Sequence, residues 1–382
     1  MKYSLRIINI IICISIICAL FSCNGGNEQR PSFINSQGNN LVEYSNNLNV
    51  FHYKSGYYIS ISNPWNENDL TEFYLYPDSL ELPEELSTKQ VIRTPVKSVV
   101  AYSSTQWSVF QQLGELERVK GILESNYTNN AEIRKLIAEK KMSDVGTESK
   151  INIEKVIDIQ PDVILYTPYP TIQDDKIGEL TGATMLPHAD YLENQPLGRA
   201  EWLKLIGYLT CRDEDAENWF NDIVTNYESI KSKCEKAEQR PTVFSDLPFD
   251  GQWYIPGGKS YIAQIFSDAG ADYMWKDDNT SGSLPVDAET VLAKAGNADY
   301  WRIMNSTDAP YSYERLSTEN ELFTYYKAFK ERKVIVCDVR KSSYFEKAQY
   351  EPDVVLNDFA AIFHPELFED SYEPKYFYLL NE

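Results

Sequence analysis

One short phrase is written twice in this chain, and it narrows the folds the chain can adopt. Asn152-Ile153-Glu154-Lys155-Val156 runs on to Pro161-Asp162-Val163-Ile164-Leu165, and Asp287-Ala288-Glu289-Thr290-Val291-Leu292 runs on to Ala298-Asp299-Tyr300-Trp301. Each copy offers an Asn or Asp as a helix cap, a carboxylate two positions on, apolar residues at helical spacing, and an Asp leading into a strand. The two glutamates stand 135 positions apart (289 minus 154). A helix-then-strand unit repeated at that distance predicts two similar α/β lobes, each presenting one carboxylate at a helix start.

The rest of the chain fills in those lobes. Val96 to Tyr102 reads as a buried strand, Ser103-Ser104-Thr105 as a cap cluster, and Trp107, Phe110 and Leu113-Gly114 as a helix with a glycine stop. Arg118 to Ile122 is a second strand, Met142 to Lys150 a polar loop, and 163–166 and 183–186 two further strands. Trp202, Leu205, Ile206 and Leu209 follow helical spacing. A second helix, capped by Asp213 or Asp215, carries Trp219, Phe220, Ile223, Val224, Tyr227 and Ile230 and runs to about Glu238 before Pro241. At ~1.5 Å per residue that is roughly 39 Å, long enough to bridge two lobes. The second lobe begins with Thr242 to Ser245; Trp253 to Gly258 follows with a glycine turn, then a helix from Ser260 to Gly270, the strand at 300–304, Val334 to Asp338 and a last helix near Asp353 to Phe363. Residues 50–94 look β-rich, with period-two alternation at Tyr57 to Ser62 and punctuation by Pro77, Pro83 and Pro95. The expected fold class is α/β: two three-layer α/β lobes (95–195 and 241–382) joined by a long helix within a helical connector (196–240), with an N-terminal β-rich extension (50–94).

The first residues set the compartment. Lys2 and Arg6 precede an apolar run from Ile7 to Leu20, and Leu20-Phe21-Ser22-Cys23 follows. Residues 1–22 read as a secretory signal, too short for a typical transmembrane helix. The Leu-x-Ser-Cys ending resembles the bacterial lipobox, which implies lipid on Cys23 and an anchor that does not span the membrane. Residues 23–49, rich in Asn, Gly, Ser and Gln, read as a flexible tether. The formal charge is −21 and becomes −23 once Lys2 and Arg6 are removed. That acidity argues against nucleic acid as a partner, because phosphate contacts need Lys and Arg. It leaves an anionic small ligand open, since a cleft can differ from the surface around it. Of six cysteines, Cys211, Cys234 and Cys337 lie in the body of the chain. An odd number leaves at least one free thiol; buried, unpaired cysteines are the expectation, with a Cys211–Cys234 pair as the alternative.

Lobe, long helix, lobe, with a lipobox in front, resembles the class III substrate-binding proteins of ABC importers, the receptors for cobalamin, ferric siderophores and haem. Val99 to Ser104 and Leu113 to Gly121 are similar to that family's first strand, helix and strand. Asp144-Val145-Gly146, the Asn152 helix and Pro161-Asp162 resemble its most recognisable stretch, and Tyr254 to Ser260 with Asp268 to Ala271 resembles its second-lobe entry. The resemblance covers about residues 95–365; residues 50–94 are an addition to it. It implies a periplasmic, lipid-anchored monomer that takes a metal-chelate or corrinoid ligand and delivers it to an ABC permease dimer. In that family a glutamate on each lobe meets permease arginines, and Glu154 and Glu289 match those positions. Charges so placed steer and orient docking, although a Glu in a first helical turn also stabilises its own helix.

In open α/β sheets ligands lie at the carboxyl ends of strands. In the first lobe this nominates Ser103, Ser104, Gln106, Trp107, Thr147 and Tyr169, and in the second Phe249, Trp253, Tyr254, Trp301, Arg340 and Tyr344. Aromatic faces suit a flat macrocycle or a catecholate, and Arg340 suits a carboxylate or an anionic siderophore. Each aromatic has a second reading as core, and Ser103 and Ser104 as caps alone. Gly258-Lys259-Ser260 fails as a phosphate loop, because the position five before Gly258 is Trp253. The three histidines, His52, His188 and His364, are far apart, so no metal site or resident cofactor is expected. No Gly-x-Ser-x-Gly elbow occurs and no catalytic residue is nominated; an exported enzyme or a cell-envelope scaffold on the same fold is the competing class.

Overall fold

The computed structural model describes residues 38–63, 65, 70–169, 175–368 and 372–381. The signal segment and Cys23 lie outside the described residues. Residues Leu41 to Glu382 form one compact unit. It begins with a four-stranded sheet: β1 (Leu48–Tyr53), β2 (Gly56–Ser62), β3 (Leu70–Pro77) and β4 (Val91–Thr94), in that order. The first three strands are antiparallel and β4 runs parallel to β3. Val50, Ile59 and Phe73 stand in register across it and are fully buried, which is the inward half of the alternation read from the sequence. Gly56 allows the tight approach of β2 to β3, since a Cβ there would meet the Leu75 carbonyl oxygen at 2.0 Å.

The tether expected through Asn49 ends sooner. Backbone N–H groups of Glu43, Tyr44 and Ser45 donate to the Glu201 carboxylate at 2.7–3.0 Å. Those of Asn46 and Asn47 donate to Glu193 at 3.0 and 2.9 Å. Two buried carboxylates far along the chain thus hold a segment whose own composition reads as linker.

The first lobe is built on β5 (Val99–Ala101), β6 (Val119–Ile122), β7 (Ser143–Asp144), β10 (Val163–Tyr166) and β11 (Thr184–Pro187), with β8 (Gly146–Thr147) and β9 (Lys150–Ile151) as a small hairpin beside them. The sheet order is β11-β10-β5-β6-β7, all parallel. Val99, Ala101, Val163 and Leu165 join the main apolar core, whereas Val100 and Ile164 join a second cluster with Val145, Val156 and Ile177. A parallel sheet covered on both faces needs this continuous apolar run.

The connector comprises helices Pro196–Ala200, Leu203–Thr210 and Asp213–Cys234. The last has 22 residues, about 33 Å, four residues short of the expected end at Glu238. It stops where the i→i−4 pattern tightens: Lys236 N–H bonds Lys233 O and Ala237 N–H bonds Cys234 O, both at 3.1 Å. Asp213, Glu214 and Asp215 at its start and Lys231 and Lys233 at its end complement the helix dipole. It packs on the connector helix Leu203–Thr210 and on the final helix Pro352–Phe363 of the second lobe.

The second lobe repeats the plan with β12 (Thr242–Ser245), β13 (Trp253–Pro256), β14 (Asp272–Tyr273), β15 (Ser283–Val286), β16 (Tyr300–Asn305), β17 (Val334–Asp338) and β18 (Tyr378–Leu379). Its sheet order is β14-β12-β16-β17-β18, with only β18 antiparallel, while β13 and β15 pair separately. The repeated Asp does the same work in both lobes. Asp162 accepts the N–H groups of Lys97 and Ser98 at 2.6 and 3.0 Å, just ahead of β5. Asp299 accepts Thr242 N–H and Oγ1–H at 2.8 and 2.7 Å, at the start of β12. One apolar cluster runs from the N-terminal sheet through the connector into the second lobe.

Cys211, Cys234 and Cys337 are all free thiols, and the Cys211–Cys234 pair does not form. Cys234 and Cys337 are buried as expected, but Cys211 is exposed, because it closes helix Leu203–Thr210 in a left-handed conformation (φ 58°).

Candidate functional site

Parallel strands in both lobes end at one cavity of about 780 Å³. Tyr102, Ser103 and Ser104 follow β5, Leu123 and Glu124 follow β6, and Thr167 follows β10. From the other side Ser306 follows β16, and Val339 and Arg340 follow β17. The connector adds Arg199 and the second-lobe helix start adds Tyr261. A polar rim at strand carboxyl ends around an aromatic-rich hollow is the usual build of a small-molecule site.

A short second-lobe segment, Ser343 to Gln349, lies against the first lobe. Ser104 Oγ donates to Phe345 O at 3.3 Å, Thr128 Oγ1 donates to Glu346 Oε1 at 2.6 Å, and Gln349 donates to Asp190. Asp190 also holds His188 Nδ1 at 3.2 Å, and the His188 ring packs on Trp202. Burial raises the phenols of Tyr191, Tyr261 and Tyr344 above the usual range, and burial, Glu148 and Asp190 raise that of Tyr169. Tyr191 Oη donates to Pro168 O at 2.5 Å, so that hydroxyl is held by the first lobe itself. No group of three or more His, Cys, Asp or Glu side chains among the described residues is placed to hold a metal ion.

Six nominated residues line the cavity: Ser103, Ser104, Trp107, Tyr169, Arg340 and Tyr344. Ser103 also caps helix Ser104–Gln112, accepting Thr105 N–H at 3.3 Å. Gln106 is fully buried as the other half of that capping box and does not line the cavity. Thr147 sits in the β8–β9 hairpin, beside the lining residue Glu148. Trp253 and Trp301 are core: they pack with Phe244, Phe323 and Tyr326, and Trp301 Nε1–H bonds Asp246 O at 2.9 Å. Trp301 stands near the start of β16, the end away from the cavity, and Trp253 opens β13, which pairs with β15 in a separate two-stranded sheet. Phe249 and Tyr254 are exposed outside the lining. Arg340 is a rim residue paired with Asp308 at 3.2 Å.

The strand-end rule, applied evenly, would also have named Glu124, Thr167 and Ser306. Arg199, Tyr261, Thr128 and Glu346 come from helices and loops that no local sequence signal directs to the cleft. Away from the cavity, Glu154 and Glu289 are both exposed, each in the first turn of a helix capped by its Asn or Asp (Asn152 to Lys155 N–H at 3.1 Å, Asp287 to Thr290 N–H at 2.8 Å).

Comparison with known proteins agrees with this architecture. An uncharacterized lipoprotein of Methanocaldococcus jannaschii is 29% identical over 398 residues, covering 94% of this chain and 92% of its own length. A second uncharacterized lipoprotein of that organism is 26% identical, covering 90% and 88%. Among solved structures, the TroA-like periplasmic binding protein FepB of Veillonella parvula superposes with a TM-score of 0.57 at 20% identity, covering 75% of this chain and 96% of its own. A periplasmic heme binding protein of Pseudomonas aeruginosa does so with a TM-score of 0.54 at 15% identity, covering 73% and 95%. A TM-score of 0.52 at 12% identity, over 72% and 99%, relates the chain to the periplasmic vitamin B12 binding protein BtuF of Vibrio cholerae. The likenesses to solved structures establish the fold. The family model for periplasmic binding proteins matches residues 99–340, the connector and most of each lobe, and the chain belongs to that family.

Proposed function

We propose that this chain is the lipid-tethered receptor of an ABC importer, which captures a metal chelate between its lobes and delivers it to a membrane permease. The observation that carries the reading is the cavity of about 780 Å³ at the carboxyl ends of two facing parallel sheets, walled by Tyr169, Tyr261 and Tyr344. A ferric siderophore, a cobalamin or haem is the cargo class. Periplasmic proteins named for heme and vitamin B12 share the fold and lend support. Cys23 carries the lipid in this reading, and the receptor works as a monomer on the outer side of the membrane. No helix among the described residues is long and apolar enough to cross a bilayer. Glu154 and Glu289 are the docking feet, one per lobe and both exposed. The shared apolar core and the connector helix limit the lobes to small hinge motions on binding.

The test is a thermal-shift and titration panel of haem, cobalamins and ferric siderophores on the full-length chain in mild detergent. Saturable binding of one of them with a rise in Tm supports the reading, because a ligand selective for the folded state stabilises it by about 2.7 kcal/mol at a hundred times its Kd. A panel with no binding and no shift overturns it.

A further inference from the structure

Two arginines line the cavity, and one of them has no acid of its own. Arg340 is paired at the rim with Asp308 at 3.2 Å. Arg199, partly buried, forms no ion pair and donates no side-chain hydrogen bond among the described residues. Its Nε is shielded within the wall, while its two terminal nitrogens, equally without partners, keep accessible surface where the residue lines the cavity. The guanidinium carbon stands 5.1 Å from the centre of the Tyr261 ring, whose face attracts the cation but offers it no oxygen to bond. A partly buried cation without a counter-charge is costly, so one retained at a cavity marks where a bound anion completes the wall.

The acids of the wall do not supply that anion. Asp190 is taken by Gln349 and by His188 Nδ1 at 3.2 Å. Glu346 turns into the wall, where Oε1 accepts Thr128 Oγ1–H at 2.6 Å and Oε2 is shielded. Glu124 and Glu148 are exposed, and none of these carboxylates is paired with Arg199. Arg199 also belongs to neither sheet. It lies on the connector helix Pro196–Ala200, which packs against Asp190–Leu192 of the first lobe and against helices Tyr261–Asp268 and Pro352–Phe363 of the second. A group bound to it is therefore held where the two lobes join.

We propose that the terminal nitrogens of Arg199 receive a free carboxylate of the cargo, so that this receptor selects cargo bearing a carboxylate that is not spent on holding metal. This rests on the receptor reading above and moves the carboxylate contact expected of Arg340 from the rim to the connector. The planar fork of a guanidinium matches the two oxygens of a carboxylate with parallel hydrogen bonds. An ester of the same cargo keeps nearly the same shape but leaves the cation uncompensated, and a site discriminates strongly when the wrong ligand leaves its polar group unpaired. Two kinds of cargo offer such a group, haem through its propionates and a ferric chelate through a carboxylate on a side arm.

The probes are haem and its dimethyl ester, a ferric tris-hydroxamate chelate with a free terminal carboxylate and its methyl ester, a ferric tris-catecholate and a cobalamin. Each is titrated into the full-length chain in mild detergent and into Arg199→Gln, with melting curves to confirm folding. The expected result is that one acid, haem or the carboxylate chelate, binds the native chain about tenfold or more tighter than its own ester, and that R199Q binds the two nearly equally. Which pair shows the preference tells a propionate from a siderophore carboxylate. Equal binding of acid and ester by the native chain, a preference that survives in R199Q, or binding of the catecholate or cobalamin without either acid overturns the inference and leaves the receptor reading standing. Absence of binding by every probe overturns both. Where R199Q does not fold, Arg199→Lys takes its place: its single ammonium cannot reproduce the fork, so its preference should fall below the native one, and an undiminished preference overturns the inference.

Discussion

Removing the Glu201 side chain is predicted to release the segment that leads back to the membrane tether. Glu201 is fully buried and accepts three consecutive backbone N–H groups, from Glu43, Tyr44 and Ser45, together with Lys204 Nζ at 3.3 Å. In Glu201→Ala the three donors lose their acceptor, and Lys204, itself only 5% exposed at its side chain, keeps Glu217 at 3.0 Å as its remaining carboxylate. Breaking a buried charged pair costs about 3–5 kcal/mol. Local release of residues 43–45 relieves part of this by returning the amides to water, while Glu193 keeps Asn46 and Asn47, so the loss falls on that segment rather than on the whole fold. Taking about 3–4 kcal/mol as local, at 1.4 kcal/mol per decade, amide exchange at Glu43, Tyr44 and Ser45 should speed up by roughly 10²–10³-fold. Hydrogen–deuterium exchange with mass spectrometry reads this directly, with β17 (Val334–Asp338) as the unaffected control. An acceleration below about tenfold at those amides, or an equal acceleration in β17, would refute the argument that Glu201 is the clamp.

Three further outcomes follow from the same structure. Burial alone would raise the Asp299 carboxyl, but Lys327 Nζ and the N–H and hydroxyl of Thr242 outweigh it and bring it down to about 2 from 3.8. A depressed acid contributes stability above its unfolded pKa that is lost as pH falls through the folded one. Between about pH 4 and pH 2 the native chain should therefore lose about 1–2 kcal/mol that Asp299→Asn does not, after allowing for partial exposure, and parallel melting curves for the two would contradict this. Trp301→Ala should cost about 3–5 kcal/mol because the ring is fully buried against Phe244, Phe323 and Tyr326, whereas Tyr169→Ala, at 39% exposure, should weaken cargo binding with a change in Tm of only a few degrees. Reversing charge at both feet, Glu154→Lys with Glu289→Lys, should abolish transport and slow permease association while costing stability only about 0.3–1 kcal/mol per site; unchanged transport would remove the docking role.

The repeated helix-then-strand phrase made the two-lobe plan legible because its parts are local: a cap, a helical stripe, an Asp before a strand. Strands Val163–Tyr166, Thr242–Ser245 and Val334–Asp338 and the caps Ser103, Asn152, Ser260 and Asp287 were readable for the same reason. What escaped was non-local. Residues 41–47 have linker composition, yet Glu193 and Glu201, some 150 positions away, accept the amides of residues 43–47 and fix them in place. Trp253 and Trp301 are nominated by the strand-end rule, yet Trp301 stands at the start of β16 and enters the core while Ser306, past its end, reaches the cavity, and Trp253 opens a strand outside the parallel sheet to which the rule applies. Glu346, Thr128 and Arg199 reach the cavity from three separate elements, and no spacing in the sequence brings them together.

The central claim is that cargo lies between the lobes at the carboxyl ends of the two sheets. Hydrogen–deuterium exchange of the full-length chain, with and without the tightest-binding chelate, measures this most directly. The account predicts slowed exchange at residues 102–107, 123–129 and 339–349 together, with β1 to β4 unchanged. Protection confined to the N-terminal sheet, or to one lobe alone, would contradict it.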